Sequence, residues 1–469
     1  MHTHAFAGIR KLFFISVALA AAFSSYSIAA NPINMIGVNL SGASFSDTVY
    51  PGVYGTHYIY PAESYYQKYA DMGIKLIRLP FLWERIQPAL NTELQSAELA
   101  RLLQSLDYAQ KYGMQVILDL HNHYRYYNKQ IASSDVPISA FANFWQRLAQ
   151  KVVNHPAVYG YDLMNEPFNT NGYWPQAALA AAQAVRTVDN SRWIFVAGDY
   201  WSSAYHWTLF NNQLVADPWM RDPNNNLVYE AHLYLDKDFS GNYTDRAETF
   251  DPMLGVNRAK PFVDWLKQNN LRGYLGEHGV PDFSPSAVVA MDNLLNYLAQ
   301  NCIPMTYWAA GPWWINHPLS LDVNSGAARP QLPILRKYVG NTSCSIIGPS
   351  VIDDTSTGQV YRLYQAAFDR APDSTGLSYW VNKINTGASL STVAQGFIDS
   401  NEFQQRYGIA INNQSFISTL YMNVLNRQPD PTGLAFWQNR MAQGMSEAEV
   451  LIGFSESGEN KANVAKNTL

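Results

Sequence analysis

Between Met35 and Tyr338, short apolar runs alternate with stretches in which apolar residues recur every three or four positions. The runs have the character of buried strands, and the longer spacing is that of amphipathic helices. Eight runs start near Ile36-Gly37-Val38, Leu76-Ile77-Arg78-Leu79, Val116-Ile117-Leu118, Val158-Tyr159-Gly160-Tyr161, Trp193-Ile194-Phe195-Val196, Leu227-Val228-Tyr229, Gly273-Tyr274-Leu275 and Met305-Thr306-Tyr307-Trp308. The clearest helices between them cover 97–112, 140–153, 175–187 and 285–299. Eight strands separated by crossover helices over ~300 residues predict an α/β fold closed as a (β/α)8 TIM barrel. The connection from Gly198 to Asn226 alone lacks a clean helical period.

The pattern changes after residue 340. Asn341 to Gly358 is rich in Ser, Thr, Gly and Asp, with one Pro, and predicts a solvated linker. Two later segments align without gaps at an offset of 57 residues. Tyr364, Arg370, Pro372, Asp373, Gly376, Leu377, Trp380, Gly387, Gly396 and Phe397 recur as Tyr421, Arg427, Pro429, Asp430, Gly433, Leu434, Trp437, Gly444, Gly453 and Phe454. Self-similarity at one spacing marks an internal repeat. Each copy reads as helix, Pro-Asp turn, helix, Gly break, helix, so 359–469 is expected to be a small all-α domain. Asp373 and Asp430 suit turn caps beside Pro, and Trp380 and Trp437 suit helical cores.

At the other end, Arg10-Lys11 precedes a mostly apolar run from Leu12 to Phe23, and small residues follow up to Ala29-Ala30. This is the layout of a secretory signal peptide, residues 1–30, cut after Ala29 or Ala30. The run is shorter than the ~20 residues that span a bilayer. The barrel is then expected over 31–340, the linker over 341–358 and the repeats over 359–469.

Composition narrows the function. Charged residues make up 15% of the chain and hydrophobic ones 47%, which excludes coiled coils, disordered tails and collagen-like fibres. The net charge is -5, and loss of Arg10 and Lys11 makes it more negative. No basic field exists to hold nucleic acid or anionic lipid, and no later stretch suits membrane insertion. The 2 cysteines are too few for a four-cysteine zinc site. Cys302 precedes strand eight, and the helix near 331–338 returns Cys344 to the same end of the barrel. In an oxidising compartment a disulfide between them is expected.

In such a barrel the reacting groups sit where strands give way to βα loops. Polar residues close six of the runs: Arg78, His121-Asn122-His123, Asn165-Glu166-Pro167, His232 with Tyr234, Glu277-His278, and Trp308. Each glutamate ends a strand that would otherwise bury an unpaired carboxylate at a cost of several kcal/mol. Pro167 biases Glu166 toward an extended conformation on the strand end. Two carboxylates across a barrel mouth suit glycosidic bond cleavage, one as a protonated acid and one as an ionised nucleophile. Two rivals remain: a metal-dependent barrel hydrolase using His121, His123, His232 and His278, and a non-catalytic glycan-binding surface protein. A metal site of that kind would leave Asn165-Glu166-Pro167 unexplained, and both glutamates being present weighs against the second.

Together the motifs Ile77-Arg78-Leu79-Pro80 with Trp83-Glu84, Asp119-Leu120-His121-Asn122, Asp162-Leu163-Met164-Asn165-Glu166-Pro167, His232-Leu233-Tyr234, Gly276-Glu277 and Trp308-Ala309-Ala310-Gly311-Pro312-Trp313-Trp314 resemble family 5 of the glycoside hydrolases, in its secreted endo-β-1,4-glucanase branch. The resemblance spans about 35–340. It departs from the pattern at His123, where the family's cellulases more often carry Tyr. It implies a retaining mechanism with Glu166 as acid/base and Glu277 as nucleophile, and Arg78, His121, Asn122, Asn165, His232, Tyr234 and Trp308 as substrate-binding residues. Arg78 would favour and aim the Glu277 carboxylate, Asn165 would bind the sugar 2-hydroxyl, and Trp308 would stack on a pyranose ring. Trp313, Trp314, Tyr124, Tyr126, Tyr127 and Trp201 are candidates to extend that platform. The implied substrate is a β-glucan polysaccharide, with a β-mannan or mixed-linkage glucan as the alternative. No cofactor or metal is implied, and a secreted monomer is expected. The repeats resemble a domain of unknown function in bacterial exported proteins, and an attachment module for a cell-surface or polysaccharide partner is the reading by elimination.

Overall fold

The structure, a computed structural model, describes residues 33–461 apart from 222–225, 270, 315–316, 323–328, 341–343, 345–346, 350–355, 371, 409–410 and 458–459. The expected signal peptide therefore lies outside the described residues. Among the described residues no helix is long and apolar enough to cross a membrane.

Eight parallel strands close a barrel: β1 (Ile36–Leu40), β2 (Leu76–Phe81), β3 (Gln115–Leu120), β4 (Val158–Asp162), β5 (Trp193–Ala197), β6 (Leu227–Tyr234), β7 (Gly273–Gly279) and β8 (Met305–Ala310). Each pairs with its sequence neighbour, and β1 pairs with β8. All eight runs read from the sequence become these strands. Around them lie α1 (Glu63–Asp71), α2 (Ser96–Lys111), α3 (Ile138–Val152), α4 (Trp174–Arg186), α5 (Trp207–Phe210), α6 (Leu254–Asn269), α7 (Pro285–Gln300) and α8 (Gln331–Lys337). Starts follow local chemistry: Gln95 caps α2 and Ser284 caps α7, where Pro285 takes the first helical position. The fifth crossover is one helical turn and two 3-10 turns, Asn212–Val215 and Pro218–Arg221, which is why 198–226 shows no helical period.

The barrel interior is layered. Its floor is apolar, built from Leu76, Ile117, Phe195, Val228, Tyr274 and Ile347. Two residues further along the strands the inward positions become Arg78, Asp119 and Glu230, all buried, because alternate strand residues share a face. One register step breaks this alternation. Ala231 pairs with Leu275 while His232 pairs with Glu277, so Gly276 is an extra residue in β7. The bulge turns Glu277 inward and sends His278 outward, where it is buried edge-on against Tyr307 with no partner for either ring nitrogen.

The floor corrects one expectation. Within 341–358 the described residues Cys344, Ile347, Gly348 and Pro349 are buried rather than solvated. Ile347 plugs the barrel bottom, its carbonyl accepting from Arg272, and the Gly348 carbonyl accepts from Gly273 N at 2.7 Å. Cys344 is bonded to Cys302, with the Cα atoms 5.6 Å apart. Polar composition did not betray this segment because a single apolar side chain, Ile347, and a few backbone carbonyls are what dock it on the barrel.

The C-terminal helices repeat to the residue. α9 (Ser356–Phe368), α10 (Ser374–Asn385) and α11 (Leu390–Ile398) recur as α13 (Asn413–Leu425), α14 (Pro431–Ala442) and α15 (Glu447–Ser455), with α12 (Asn401–Tyr407) between the sets. Asp373 and Asp430 accept from Gly376 N and Gly433 N as helix caps. The repeated glycines make room for the repeated aromatics: a Cβ on Gly396 would lie 2.4 Å from the Trp380 ring, and one on Gly453 2.5 Å from Trp437. Phe397 and Phe454 belong to one shared core.

Two consequences are measurable. A chain ending at Ser350 is expected to fold on its own, whereas one ending at Gly340 loses both the Ile347 plug and Cys344 and melts lower. The loop of 42 residues closed by the disulfide should contribute ~4 kcal/mol in the chain-entropy model, so Cys302→Ser with Cys344→Ser should lower Tm by roughly 5–10 °C. Unchanged melting in either case contradicts the account.

Burial pushes the His278 pKa down to about 3, below its value in the unfolded chain. The unfolded state therefore takes up a proton that the folded state refuses. This contribution to stability is complete above about pH 6.5 and is lost as pH falls toward 3. Melting of His278→Phe should accordingly gain on wild type at pH 4.5 relative to pH 8. A pH-independent difference would show that His278 does not titrate this way.

Candidate active site

The mouth of the barrel is organised on Arg78. Its guanidinium, fully buried on β2, donates to Asp162 (2.9 Å), Asn39 (3.0 Å), Glu277 (3.0 Å) and Asn165 (2.9 Å). It also pairs with Asp119 at 2.9 Å and Glu230 at 3.2 Å. Burial alone would lower its pKa, but Asp119, Glu230, Asp162 and Glu277 outweigh that and hold it well above the ordinary value. One fixed cation thus serves carboxylates from β3, β4, β6 and β7.

Glu277 is held at both oxygens. Oε1 accepts from Arg78, and Oε2 accepts from the Tyr234 hydroxyl at 2.8 Å. Burial and the adjacent Glu277 push the Tyr234 phenol well above its usual pKa, so it keeps the proton it donates. Glu166 stands across from it, with its side chain 19% exposed and Oε1 2.8 Å from His232 Nδ1. At least one oxygen of each glutamate and a ring nitrogen of His232 lie within 4.8 Å of one another.

His232 bridges three carboxylates. Nδ1 is also 3.6 Å from Glu277, and Nε2 is 3.2 Å from Glu230. Burial disfavours the imidazolium, but Glu277, Glu166 and Glu230 together push the His232 pKa up to about 10. Packing around Glu166 would raise its pKa, yet the bond to His232 and the His232, His123 and His121 charges bring it below the usual range. The proton of this pair rests on His232 in the substrate-free chain.

Glu166 is not extended as expected. It lies four residues past the end of β4 with φ of 44°, in the left-handed region that costs a non-glycine residue of order 1–3 kcal/mol. Neighbouring backbone bonds hold it there, from Asn165 N to the Leu120 carbonyl (2.8 Å) and from Trp201 N to the Pro167 carbonyl (3.1 Å). A proline excludes the right-handed helix from the preceding residue, and the chain met that limit with a turn instead of a strand.

Most other expected residues converge here. His121 follows β3, with Nδ1 2.8 Å from Asp119, and stacks on Trp308 at 5.3 Å with planes 3° apart. Asn165 gives its carbonyl to Arg78, leaving its amide nitrogen toward the mouth, 3.4 Å from His121 Nε2. Asn122 does not join them. Its amide is spent on a clamp, accepting from Trp83 N at 2.8 Å and donating to Glu84 at 2.7 Å, while Glu84 also accepts from Tyr127 N at 2.6 Å. Asn122 therefore holds the loop after β3.

The aromatic candidates divide. Tyr124 and Tyr126 are buried, whereas Trp201 and Trp313 are exposed, with Trp201 stacked on Phe168 and Trp313 on Phe45. Trp314 packs edge-on to Trp308 at 5.6 Å. On the Glu166 side a cleft of about 440 Å³ opens, lined by Tyr200, Trp201, Tyr205, Phe239 and Arg258. Sequence reasoning gave no role to Tyr200, Tyr205 and Phe239, nor to the buried Asp119, Asp162 and Glu230. Asp119 and Glu230 carried a signal: each precedes a motif histidine by two positions on a strand and so shares its inward face.

The four histidines of a metal-hydrolase reading do not meet, because the β7 bulge turns His278 away. Among the described residues, the ligand-type atoms that do cluster belong to Glu166, His232 and Glu277.

Comparison with known proteins agrees with this geometry. The model of the cellulase family, glycosyl hydrolase family 5, matches residues 27–313, and that of a domain of unknown function, DUF4214, matches 352–406 and 394–464. Endo-beta-1,4-glucanase B of Aspergillus niger is 34% identical over 325 residues, 67% of this chain and 93% of the relative. The crystal structure of Pseudomonas stutzeri endoglucanase Cel5A in complex with cellobiose is 47% identical with a TM-score of 0.65, over 68% of this chain and 98% of that one. The endo-beta-1,4-glucanase Xac0029 of Xanthomonas axonopodis pv. citri is 35% identical with a TM-score of 0.61, over 66% and 98%. The chain belongs to the cellulase family, glycosyl hydrolase family 5, and is a glycoside hydrolase.

Proposed function

We propose that this hydrolase cleaves internal β-1,4-glucosidic bonds of cellulose or related β-glucans with retention of configuration. Glu277 attacks the anomeric carbon while Glu166 protonates the departing glycosidic oxygen. A water deprotonated by Glu166 then releases the glycosyl-enzyme. The observation that carries the reading is the short gap between the two carboxylates, within 4.8 Å at their nearest ligand atoms. Retaining pairs stand ~5–5.5 Å apart, and inverting pairs ~6.5–9.5 Å to admit a water.

The neighbours act on charge and position. Arg78 and Tyr234 hold Glu277 so that an oxygen faces the sugar, and both bonds must loosen as that carboxylate becomes an ester. The amide nitrogen of Asn165, held only by long contacts to His121 and His123, suits the 2-hydroxyl, where a hydrogen bond strengthens as positive charge grows on the ring. Trp308 and His121, stacked together, offer a flat wall to the pyranose. The β-1,4-glucan preference draws on the relatives' names. The cleft of Trp201, Tyr205 and Phe239 beside Glu166 suits the sugars of the leaving side, as an enzyme cutting inside a polymer requires.

The chain is read as an exported monomer that needs no cofactor, with the barrel as its catalytic domain. The repeats are read as a binding or attachment module for polysaccharide or cell surface. Catalytic side chains all precede Asn341, so residues 31–350 should keep full activity on soluble carboxymethyl cellulose while binding to insoluble material falls.

Product lengths and configuration test the reading. Wild type should give retained β products from carboxymethyl cellulose faster than from mannan or xylan. Glu277→Ala should abolish turnover. Glu166→Ala should lose ~10²–10⁴-fold on glucan and recover with azide on an activated cellobioside, giving a β-glycosyl azide. An inverted product, or unimpaired turnover in either variant, refutes the assignment; faster cleavage of mannan moves the substrate to the β-mannanase alternative.

A further inference from the structure

The retaining scheme leaves the buried carboxylates behind Arg78 and His232 without a task, and Glu230 is the one that reaches His232. Glu230 lies fully buried on β6, two residues below His232. Its Oε1 is 3.2 Å from His232 Nε2 and 3.2 Å from Arg78 Nε. Its Oε2 has no donor, and neither does Oδ1 of Asp162 on β4. The two carboxyl groups are in hydrogen-bonding contact, and burial together with Glu230 holds Asp162 well above the usual carboxylate range. One shared proton keeps these two buried acids from having to ionise side by side. The space is made by the β7 bulge: a Cβ on Gly276 would lie 1.6 Å from Glu230 Oε1.

We propose that Glu230 is a positioning residue for acid catalysis: it accepts a hydrogen bond from His232 Nε2–H, so that Nδ1 is the atom sharing a single proton with Glu166 Oε1. This rests on Glu166 being the acid/base. The proton crosses the 2.8 Å contact from Nδ1 to Oε1, leaving a neutral ring still held at Nε2. Glu166 then gives it to the glycosidic oxygen as the bond to the anomeric carbon breaks, that bond's electron pair staying on the oxygen. The water of the second half returns a proton to Glu166, and the pair is restored. Glu230 donates nothing; it fixes the tautomer and keeps negative charge behind the ring.

The other groups facing this pair are Arg78 from β2, Asp119 from β3, His121 and His123 from the loop after it, Asp162 from β4, Tyr234 from β6, and Tyr274 and Glu277 from β7. None of these residues is itself replaced in Glu230→Gln, though Asp162, no longer held up by Glu230, gives up its proton more readily. The variant keeps an acceptor of the same shape and removes the charge in contact with Nε2. That loss lowers the proton affinity of the His232–Glu166 pair, so the basic limb of kcat/KM should move to lower pH.

The test compares the full-length wild type and Glu230→Gln on phenyl β-cellobioside, whose leaving group needs a proton, and on 2,4-dinitrophenyl β-cellobioside, whose leaving group does not. For the phenyl substrate the basic limb should fall by ~1–2 pH units, with a loss of ~10–100-fold just above the new limb. For the dinitrophenyl substrate the loss should stay under ~3-fold. Equal losses on both substrates with an unmoved limb would reduce Glu230 to a structural role and overturn the proposal. Absence of turnover of both cellobiosides by wild type would instead refute the glucanase reading, and this inference with it. If Glu230→Gln does not fold, wild type labelled with 15N-histidine decides, the His232 signals being assigned by their loss in His232→Gln. Protonation of both ring nitrogens at pH 8 supports the proposal, and an unprotonated Nε2 overturns it.

Discussion

A single buried guanidinium holds the working end of the barrel together. Arg78 would cost several kcal/mol to desolvate alone, and each carboxylate around it would cost as much. Their mutual pairing makes burial tolerable, but four acids around one cation leave an excess of negative charge. That excess is met from several sides: His121 bonds Asp119, His232 lies against Glu230, Glu166 and Glu277, and burial beside Glu230 holds Asp162 well above the usual carboxylate range. The charge state of the reacting pair thus depends on buried groups behind it as well as on the pair itself.

The layers beneath make this rigid. The apolar floor of Leu76, Ile117, Phe195, Val228, Tyr274 and Ile347 excludes water from the ionic layer above it, which strengthens every interaction there. Groups already aimed at a transition state need no reorganisation when charge develops. The exposed Trp201 and Trp313 lie on the loops that follow β5 and β8 at the mouth.

The repeats follow different physics. Their period is a packing code, in which Gly396 and Gly453 admit Trp380 and Trp437 while Asp373 and Asp430 start the helices those tryptophans lie on. Such rules act within about one helix pair, so they appear in the sequence as paired identities at constant spacing. The barrel has no comparable repeat, and its strands were recognised by apolar run length, with the motif residues legible because each closes such a run.

What the sequence determined by itself is eight strands, the repeated helices, two glutamates close to the strand ends and, from chain direction in a barrel, the pairing of Cys302 with Cys344. The tertiary structure decided matters of facing and sharing. A one-residue slip at Gly276 turned Glu277 inward and His278 outward. Asn122 was given Trp83 and Glu84 as buried partners, and a polar stretch expected to be linker supplied Ile347 to the barrel floor. The physical reason is common to all three: which side of a strand a residue occupies, and which buried partner completes its hydrogen bonds, depend on residues far away in the chain that only the closed barrel brings within reach.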